Sequence, residues 1–495
     1  MNKRTIFHQD SSSLLIFIIS ILLVLFATLY PFNFSIPNSF SLAKLFASFN
    51  NTSYFQDQVN NVLLFIPIGF SLTSLLQKLR MKTFVQIFIA TLVSAGLSLT
   101  VEFLQVFLPS RTPTPADIMN NTIGGLLGFI CFYLWNHQSF ANTVAYIENS
   151  KSSRSNKQIA ACFLGYIFLI FMISLFWQST TNLSNWDVNY PLTIGNERTG
   201  DRPWQGYVSE VYIADRAIST NEVAQGLANS SYFDKLGTSL LASYRLNGKC
   251  CYKEQTGQLP ELLWQGQPSD MQNGKGAFLS SSHWLQTATP VASLSKRISQ
   301  TSEFTLSTTV STANTEQLGP ARIVSVSGNS LRRNLTLAQQ GNNLDFRLRT
   351  PITGENGSEL KLNIPNVFVD TNPHRIVITY VRATIQVYVD NFQNYYSFNL
   401  LDLIPKKQKV FYYALTFIPL GVGLAIIILL AKAKLMFSKL LVYGGILIPS
   451  LMLEGILISE SGKHLSLKNL LLGILFTSGT MLIVRVRAAQ LKMRN

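Results

Sequence analysis

The sequence predicts a multi-pass α-helical membrane protein of about eight helices, with an all-β sandwich inserted between the fifth and the sixth. Three observations predict it. Hydrophobic residues make up 47% of the 495-residue chain and charged residues only 13%, against about a quarter charged in soluble domains. The apolar residues gather into runs of roughly 18 or more, the length a bilayer core requires. One long polar block, rich in Ser, Thr, Asn and short β-branched runs, interrupts them. The same composition argues against an ordinary soluble enzyme and against disorder. Four cysteines are too few for a disulfide framework.

The apolar runs fall at 13–33, 59–77, 84–107, 118–135, 159–177, 411–431, 440–458 and 465–484. The first has basic residues before it, as a signal peptide does. However, its run is long and Pro31-Phe32-Asn33 offers no small-residue cleavage site, so it reads as an uncleaved anchor. In the last, Lys468 lies near the start and has to snorkel.

Charge orients these segments. With the N-terminus inside, the inner segments carry fifteen Lys and Arg, from Lys3 and Arg4 to Arg494, whereas the short outer loops carry four: Lys44, Arg111, Lys463 and Lys468. The positive-inside rule then places both termini in the cytoplasm, with residues 180–405 extracytoplasmic. Lys406, Lys407 and Lys409 run against the rule, at the entry to the sixth segment. The net charge of +15 is a topology signal. The block 180–405 holds 18 basic and 18 acidic residues, and no basic stripe with interleaved aromatics marks a nucleic-acid partner.

Within that block, Phe304–Val310, Arg375–Tyr380 and Thr384–Asp390 alternate like strands, with turn residues between runs. An antiparallel sandwich is expected, with no helix longer than about two turns. The run Leu192-Thr193-Ile194-Gly195-Asn196, followed by Pro203–Ser219 with Trp204 and Gly206, resembles the closing strands of a laminin-G-like, concanavalin-type jelly roll. The segment Ile376–Asp390 is similar to that family's Tyr-Val-Asp strand pair, with His374 at a Trp position. The order of the two motifs is reversed here, which indicates a circularly permuted domain; two degenerate domains or a coincidence of short strands are the alternatives. Sandwich ends commonly lie close together, and both ends of this block must return to membrane helices. If permuted, Leu192–Asn196 should lie beside the strand that ends at Asp390. Trp204, Gly206 and Asp390 are the candidate residues of this domain. The resemblance implies a glycan or protein partner. Trp186, Trp204, Trp264 and Trp284 could stack on sugar rings or form the core. No Asp cluster has calcium spacing, no metal or other cofactor is indicated, and the adjacent Cys250 and Cys251 take no role.

Polar residues inside apolar helices pose the functional question. The second segment contains Asn61, Phe65, Pro67 and Gly69, the third ends with Glu102 and Gln105, Arg111 lies in the following loop, and the fourth opens with Asp117, Asn121, Gly124 and Gly128. Glu102 and Gln105 share a helix face, as do Asp117 and Asn121, and Gly124-x-x-x-Gly128 continues that face as a small-residue groove. Glu102 lies about six residues, ~9 Å, below its helix end. It therefore needs a cationic or strongly donating partner, for which Arg111 is the expected one.

These positions match, residue for residue, the pattern of the VanZ-like family of membrane proteins: Asn before Phe-x-Pro-x-Gly, then Glu-x-x-Gln, a loop Arg, and Asp-x-x-x-Asn-x-x-Gly-x-x-x-Gly. The resemblance covers about residues 10–140. It implies a bacterial-type plasma (inner) membrane protein, in a family named for lowered susceptibility to the lipoglycopeptide teicoplanin. It implies no defined reaction. The chain thus divides into a VanZ-like region at 1–140, a cytoplasmic loop and fifth membrane helix at 141–179, the sandwich at 180–405 and C-terminal membrane helices at 406–495.

Those last helices echo the first ones. Phe417-Ile418-Pro419-Leu420-Gly421 repeats Phe65-Ile66-Pro67-Ile68-Gly69 at an offset of 417 − 65 = 352, and the same offset pairs Glu102 with Glu454, Arg111 with Lys463, Thr114 with Ser466 and Asp117 with Asn469. Gln105 meets Leu457 and Asn121 meets Gly473. A degenerate second copy of the second to fourth segments is one reading; promiscuous similarity of apolar helices is the other.

Three functions fit. An envelope protein could bind a lipid-linked sugar, a polyanionic component, a glycan or an envelope protein at the outer leaflet through the Glu/Arg/Asp cluster and the sandwich. A membrane enzyme could use Glu102 or Asp117 as general base, with Arg111 steadying a phosphate. A scaffold could use the cluster only to clasp helix ends, since buried ion pairs can fix register. The enzyme has less support: no metal-ligand spacing, activated nucleophile or phosphate-binding Gly loop is present.

Overall fold

The computed structural model describes residues 3–35, 55–108, 111, 113–150, 155–247, 252–267, 275–360, 362–431 and 435–494. Lys44, Lys151, Arg154, Lys432 and Lys434 of the charge pattern, and Cys250 and Cys251, lie outside the described residues. The chain forms two compact units, one of Met1–Ser174, Lys406–Glu454 and Ser466–Asn495, the other of Leu175–Pro405 and Gly455–Leu465.

The first unit is helical. In an apolar environment only a helix satisfies every backbone group within one segment, so the apolar runs become helices. They are α1 (Lys3–Leu29), α2 (Phe55–Lys78), α3 (Thr83–Gln105), α4 (Pro115–Trp135), α5 (His137–Asn149), α6 (Asn156–Ser179), α10 (Lys406–Leu430), α11 (Leu435–Ser461) and α12 (Leu467–Arg494). Among the described residues, seven helices are long and apolar enough to cross a membrane, from α2 to α4, α6, and α10 to α12. The apolar part of α1, Ser13–Leu29, is shorter than these. The expected first segment, 13–33, stops at Leu29 because the residue before a proline is steered away from helical geometry and Pro31 has no N–H to continue it. Hydroxyls that would be stranded in apolar surroundings bond back to their own helix, as Thr28 Oγ1 does to Val24 O (2.7 Å) and Thr73 Oγ1 to Gly69 O (2.6 Å).

Helix α5 occupies part of what the sequence presented as a loop. Asn136 caps it by accepting from Ser139 N–H at 2.9 Å. Its buried residues Phe140 and Val144 stand four apart on one face, and α5 packs against α4, α10 and α12. Arg487 of α12 donates to the Trp135 carbonyl (3.3 Å) and lies over the Phe140 ring.

The second unit is a two-sheet antiparallel sandwich. One sheet runs in the order β11 (Leu362–Ile364), β10 (Asn343–Leu348), β9 (Arg332–Gln340), β8 (Ala321–Asn329), β1 (Leu192–Ile194), β6 (Trp284–Thr287) and β4 (Leu262–Gln265). The other runs β14 (Asn391–Asn399), β13 (Thr384–Val389), β12 (His374–Val381), β7 (Phe304–Thr312), β2 (Gly206–Ala214) and β3 (Leu240–Arg245), with β5 (Ala277–Leu279) also on β2. The three segments expected as strands fall in β7, β12 and β13. A single core joins the sheets, with Leu192 and Ile194 from one and Leu306, Ile378 and Ile385 from the other.

Two expectations are corrected. Leu192–Asn196 does not neighbour the strand ending before Asp390: β1 pairs with β6 and β8, and β13 lies in the opposite sheet between β12 and β14. All three residues of β1 are buried, which suits a short central strand with a sheet neighbour on either side. Helices also exceed two turns, at α7 (Thr220–Ala228) and α8 (Ala292–Thr301), beside a one-turn α9 (Leu400–Leu403). Helix α7 opens on a reciprocal capping box between Ser219 and Glu222.

Candidate functional site in the membrane helices

Helices α2 and α4 are in backbone contact. A Cβ added to Gly69 would lie 1.9 Å from Gly125 O, one on Gly124 2.4 Å from Val62 O, and one on Gly128 2.2 Å from Ile66 O. Only glycine permits that approach, which accounts for Gly69, Gly124 and Gly128 together. It brings the polar start of α4 beside α2 and α3. Asn121, buried, donates from Nδ2 to Ser98 Oγ of α3 at 2.8 Å. Phe65 is buried beneath this contact, whereas Pro67 is exposed and Asn61 half-buried on α2.

Glu102 is 1% exposed. Its Oε2 accepts the backbone N–H of Thr114 at 2.8 Å, and Thr114 Oγ1 in turn caps α4 by accepting from Asp117 N–H at 3.2 Å. Pro115 at the first helical position suits this start, since its missing N–H needs no partner there. The donor that Glu102 required is thus a backbone amide of the next helix's cap.

Arg111 does not pair with Glu102 or Asp117 among the described residues. Its Nη2 donates to Ala27 O (3.1 Å) and Tyr30 O (3.3 Å). These are carbonyls at the C-terminal end of α1, where unsatisfied acceptors and the negative end of the helix dipole attract a cation. Gln105 Nε2 reaches the same end, donating to Thr28 O at 3.0 Å. Glu102, Gln105, Arg111, Asp117 and Asn121 therefore converge on the ends of α1, α3 and α4, bridged by Thr114 and Ser98. Neither bridging residue was among the candidate site residues that the sequence suggested. Thr114 was detectable as the first residue of a Thr-x-x-Asp cap before Pro115.

In the sandwich, the candidate residues do different work. Trp204 is fully buried and donates from Nε1 to Gln339 Oε1 at 2.7 Å, so it belongs to the core and presents no face to a sugar. Gly206 lies under it: a Cβ there would meet the Trp204 ring at 2.6 Å. Trp186 is buried as well, and Trp264 and Trp284 are half-buried. Asp390, at φ 57°, turns the chain from β13 into β14 and accepts from His374 Nδ1 (2.7 Å) and Arg375 N–H (2.6 Å). The Asp390 carboxylate holds the His374 imidazole above its ordinary range against the opposing effect of burial.

A buried arginine group went unforeseen. Arg322 and Arg333 are fully enclosed with Glu197, whose Oε2 lies 3.4 Å from Arg322 Nε. Burial pushes Arg322 down to about 10 and Arg333 to about 9. Strand alternation alone places arginines outward, so nothing in the sequence marked these as interior.

Apolar helices enclosing a polar cluster, with an antiparallel sandwich between α6 and α10, define a multi-pass membrane protein with an inserted β domain. Residues 16–136, from α1 to the end of α4, match the VanZ/LLP1 family, so the N-terminal membrane region is VanZ-like. No curated protein and no solved structure matches the chain.

Proposed function

We propose that the protein binds a lipid-linked or glycan component of the cell envelope through the cluster at the ends of α1, α3 and α4, aided by the sandwich. The observation that carries this reading is Glu102: a carboxylate buried at the end of an apolar helix, with one donor among the described residues, the Thr114 amide. The Thr114 amide uses one acceptor position of a side chain with two oxygens, so capacity remains for a ligand. Arg111 adds an exposed guanidinium suited to phosphate. On this reading the site faces the outer leaflet of a plasma membrane, both termini are cytoplasmic and residues 180–405 are extracytoplasmic. A laminin-G-like sandwich would present sugar to the exposed rings of Tyr395 and Tyr396 on the edge strand β14 rather than to Trp204.

Glu102→Gln and Arg111→Gln test the binding site. The expected result is normal accumulation in the membrane with loss of co-purifying envelope lipid by mass spectrometry. If both variants disappear from the membrane, the cluster is a helix clasp. For topology, a reporter active only in the cytoplasm should give signal at Ser155 and none at Ser230; signal at Ser230 overturns the orientation.

A further inference from the structure

A shift of 352 residues maps the three helices α2–α4 onto α10–α12 in space as well as in sequence. It carries the first residue of α3, Thr83, onto Leu435, the first of α11, and the first of α4, Pro115, onto Leu467, the first of α12. The start of α10 is one residue from the matching position. The contacts follow. Thr114 caps Asp117 N–H at 3.2 Å, and Ser466 caps Asn469 N–H at 3.4 Å. A Cβ on Gly69 would meet Gly125 O at 1.9 Å, and one on Gly421 would meet Thr477 O at 2.7 Å, the carbonyl at the shifted position. Asn121 bonds to Ser98, and a Cβ on its counterpart Gly473 would lie 2.4 Å from Oγ of Ser450, the counterpart of Ser98. Glu102 and Glu454 are both buried. Promiscuous similarity of apolar sequence would not reproduce caps, glycine contacts and buried carboxylates in one register, because helix phase rotates about 100° per residue.

One difference between the copies bears on ligand chemistry. Tyr413 Oη donates to Glu454 Oε1. The residue 352 positions earlier is Asn61, which is shorter and makes no hydrogen bond to Glu102 among the described residues. We infer that α10–α12 form a second copy of the α2–α4 site which occupies itself, the Tyr413 hydroxyl standing where a hydroxyl of the ligand donates to Glu102 in the first copy. The inference rests on the binding function proposed above and narrows its ligand to a hydroxyl-bearing headgroup, such as the sugar of a glycolipid.

The test uses dicyclohexylcarbodiimide, which modifies accessible carboxyls in membrane helices, on the full chain in phosphatidylcholine vesicles, with peptide mass spectrometry as readout. Glu102 should be modified at least about tenfold faster than Glu454, the scale set by one hydrogen bond. Asn61→Tyr should protect Glu102, and Tyr413→Phe should expose Glu454. Adding monoglucosyl diacylglycerol to the vesicles should slow modification of Glu102 in the unsubstituted protein. Equal rates for Glu102 and Glu454, or no protection by Asn61→Tyr, overturn the self-occupied second copy. Intact protection by Asn61→Tyr with no effect of the glycolipid overturns the hydroxyl ligand alone. Failure of the Glu102→Gln and Arg111→Gln lipid experiment would leave the Asn61→Tyr and Tyr413→Phe results standing, so the two inferences fail separately.

Discussion

Gly69 and Gly125 meet backbone to backbone, so closely that a Cβ on Gly69 would lie 1.9 Å from the Gly125 carbonyl oxygen. A side chain there can be accommodated only if α2 and α4 separate, and separation would also open the close approaches of Gly124 to Val62 O and of Gly128 to Ile66 O. Gly69→Leu should therefore abolish accumulation of the protein in the membrane. Gly96→Ala is the control, since a Cβ at Gly96 meets nothing within 4 Å. Membrane abundance by immunoblot reads both; equal abundance would show that the helix contact is dispensable.

The Glu102–Thr114 hydrogen bond separates structural from functional roles of the carboxylate. Glu102→Gln keeps an acceptor for the Thr114 amide, whereas Glu102→Leu leaves a buried N–H without one. The expected cost of Glu102→Leu is ~1–3 kcal/mol, and Glu102→Gln should cost much less. Thermal unfolding of the detergent-solubilised chain distinguishes them. Equal destabilisation would mean that the charge itself holds the helices.

Glu197 is the ion-pair partner of Arg322 inside the sandwich. Glu197→Gln removes the negative charge while two guanidinium groups stay buried. Breaking a buried pair from one side costs ~3–5 kcal/mol. The unfolding transition of the β domain, followed by fluorescence of the buried Trp186 and Trp204, should move to markedly lower denaturant. An unchanged midpoint would show that the arginines are solvated or neutral in the fold.

The parts of this molecule that composition controls were legible in the sequence. Apolar length marks α2, α3, α4 and α6, because a bilayer imposes one geometric requirement, and alternation marks β7, β12 and β13, because a half-buried strand imposes another. The converging polar residues of α3 and α4 were legible for a related reason: charge in an apolar helix must be sheltered. Partner choice was not. Arg111 stands in the α3–α4 link, where Glu102 looks the natural partner, yet it serves carbonyls of α1, eighty-four residues away at Ala27. Which acceptor an arginine takes depends on where a distant helix ends, and that end is set by Pro31. Trp204 and Arg322 show the same limit, since burial of a strand residue depends on what covers the sheet. The Ser219–Glu222 box that opens α7 is a Ser-x-x-Glu signal in the sequence, but it lies at the end of a run that reads as strands.

The hairpin of β12 and β13 carries a pH dependence. His374 Nδ1 lies 2.7 Å from Asp390 Oδ2, and Nε2 lies 3.3 Å from Asp370 Oδ1. Among the described residues these are the carboxylates paired with the ring, and its other aromatic neighbour is Phe368. Asp390 holds the imidazolium, so the folded pKa stands above the ordinary His value. A group raised on folding contributes stability that is fully present below its unfolded pKa and is lost as pH rises through the folded one. The β domain should thus melt at a higher temperature near pH 5.5 than near pH 8, the range that brackets an ordinary His value of about 6.5. Asp390 is also the turn residue at positive φ and accepts from Arg375 N–H, so Asp390→Asn, which tolerates that backbone and keeps an acceptor, is the informative change. It should flatten the pH dependence more than it lowers the melting temperature at pH 8. His374→Gln should flatten it as well. If the dependence persists in both variants, the titration belongs to another group and the hairpin contact is electrostatically neutral.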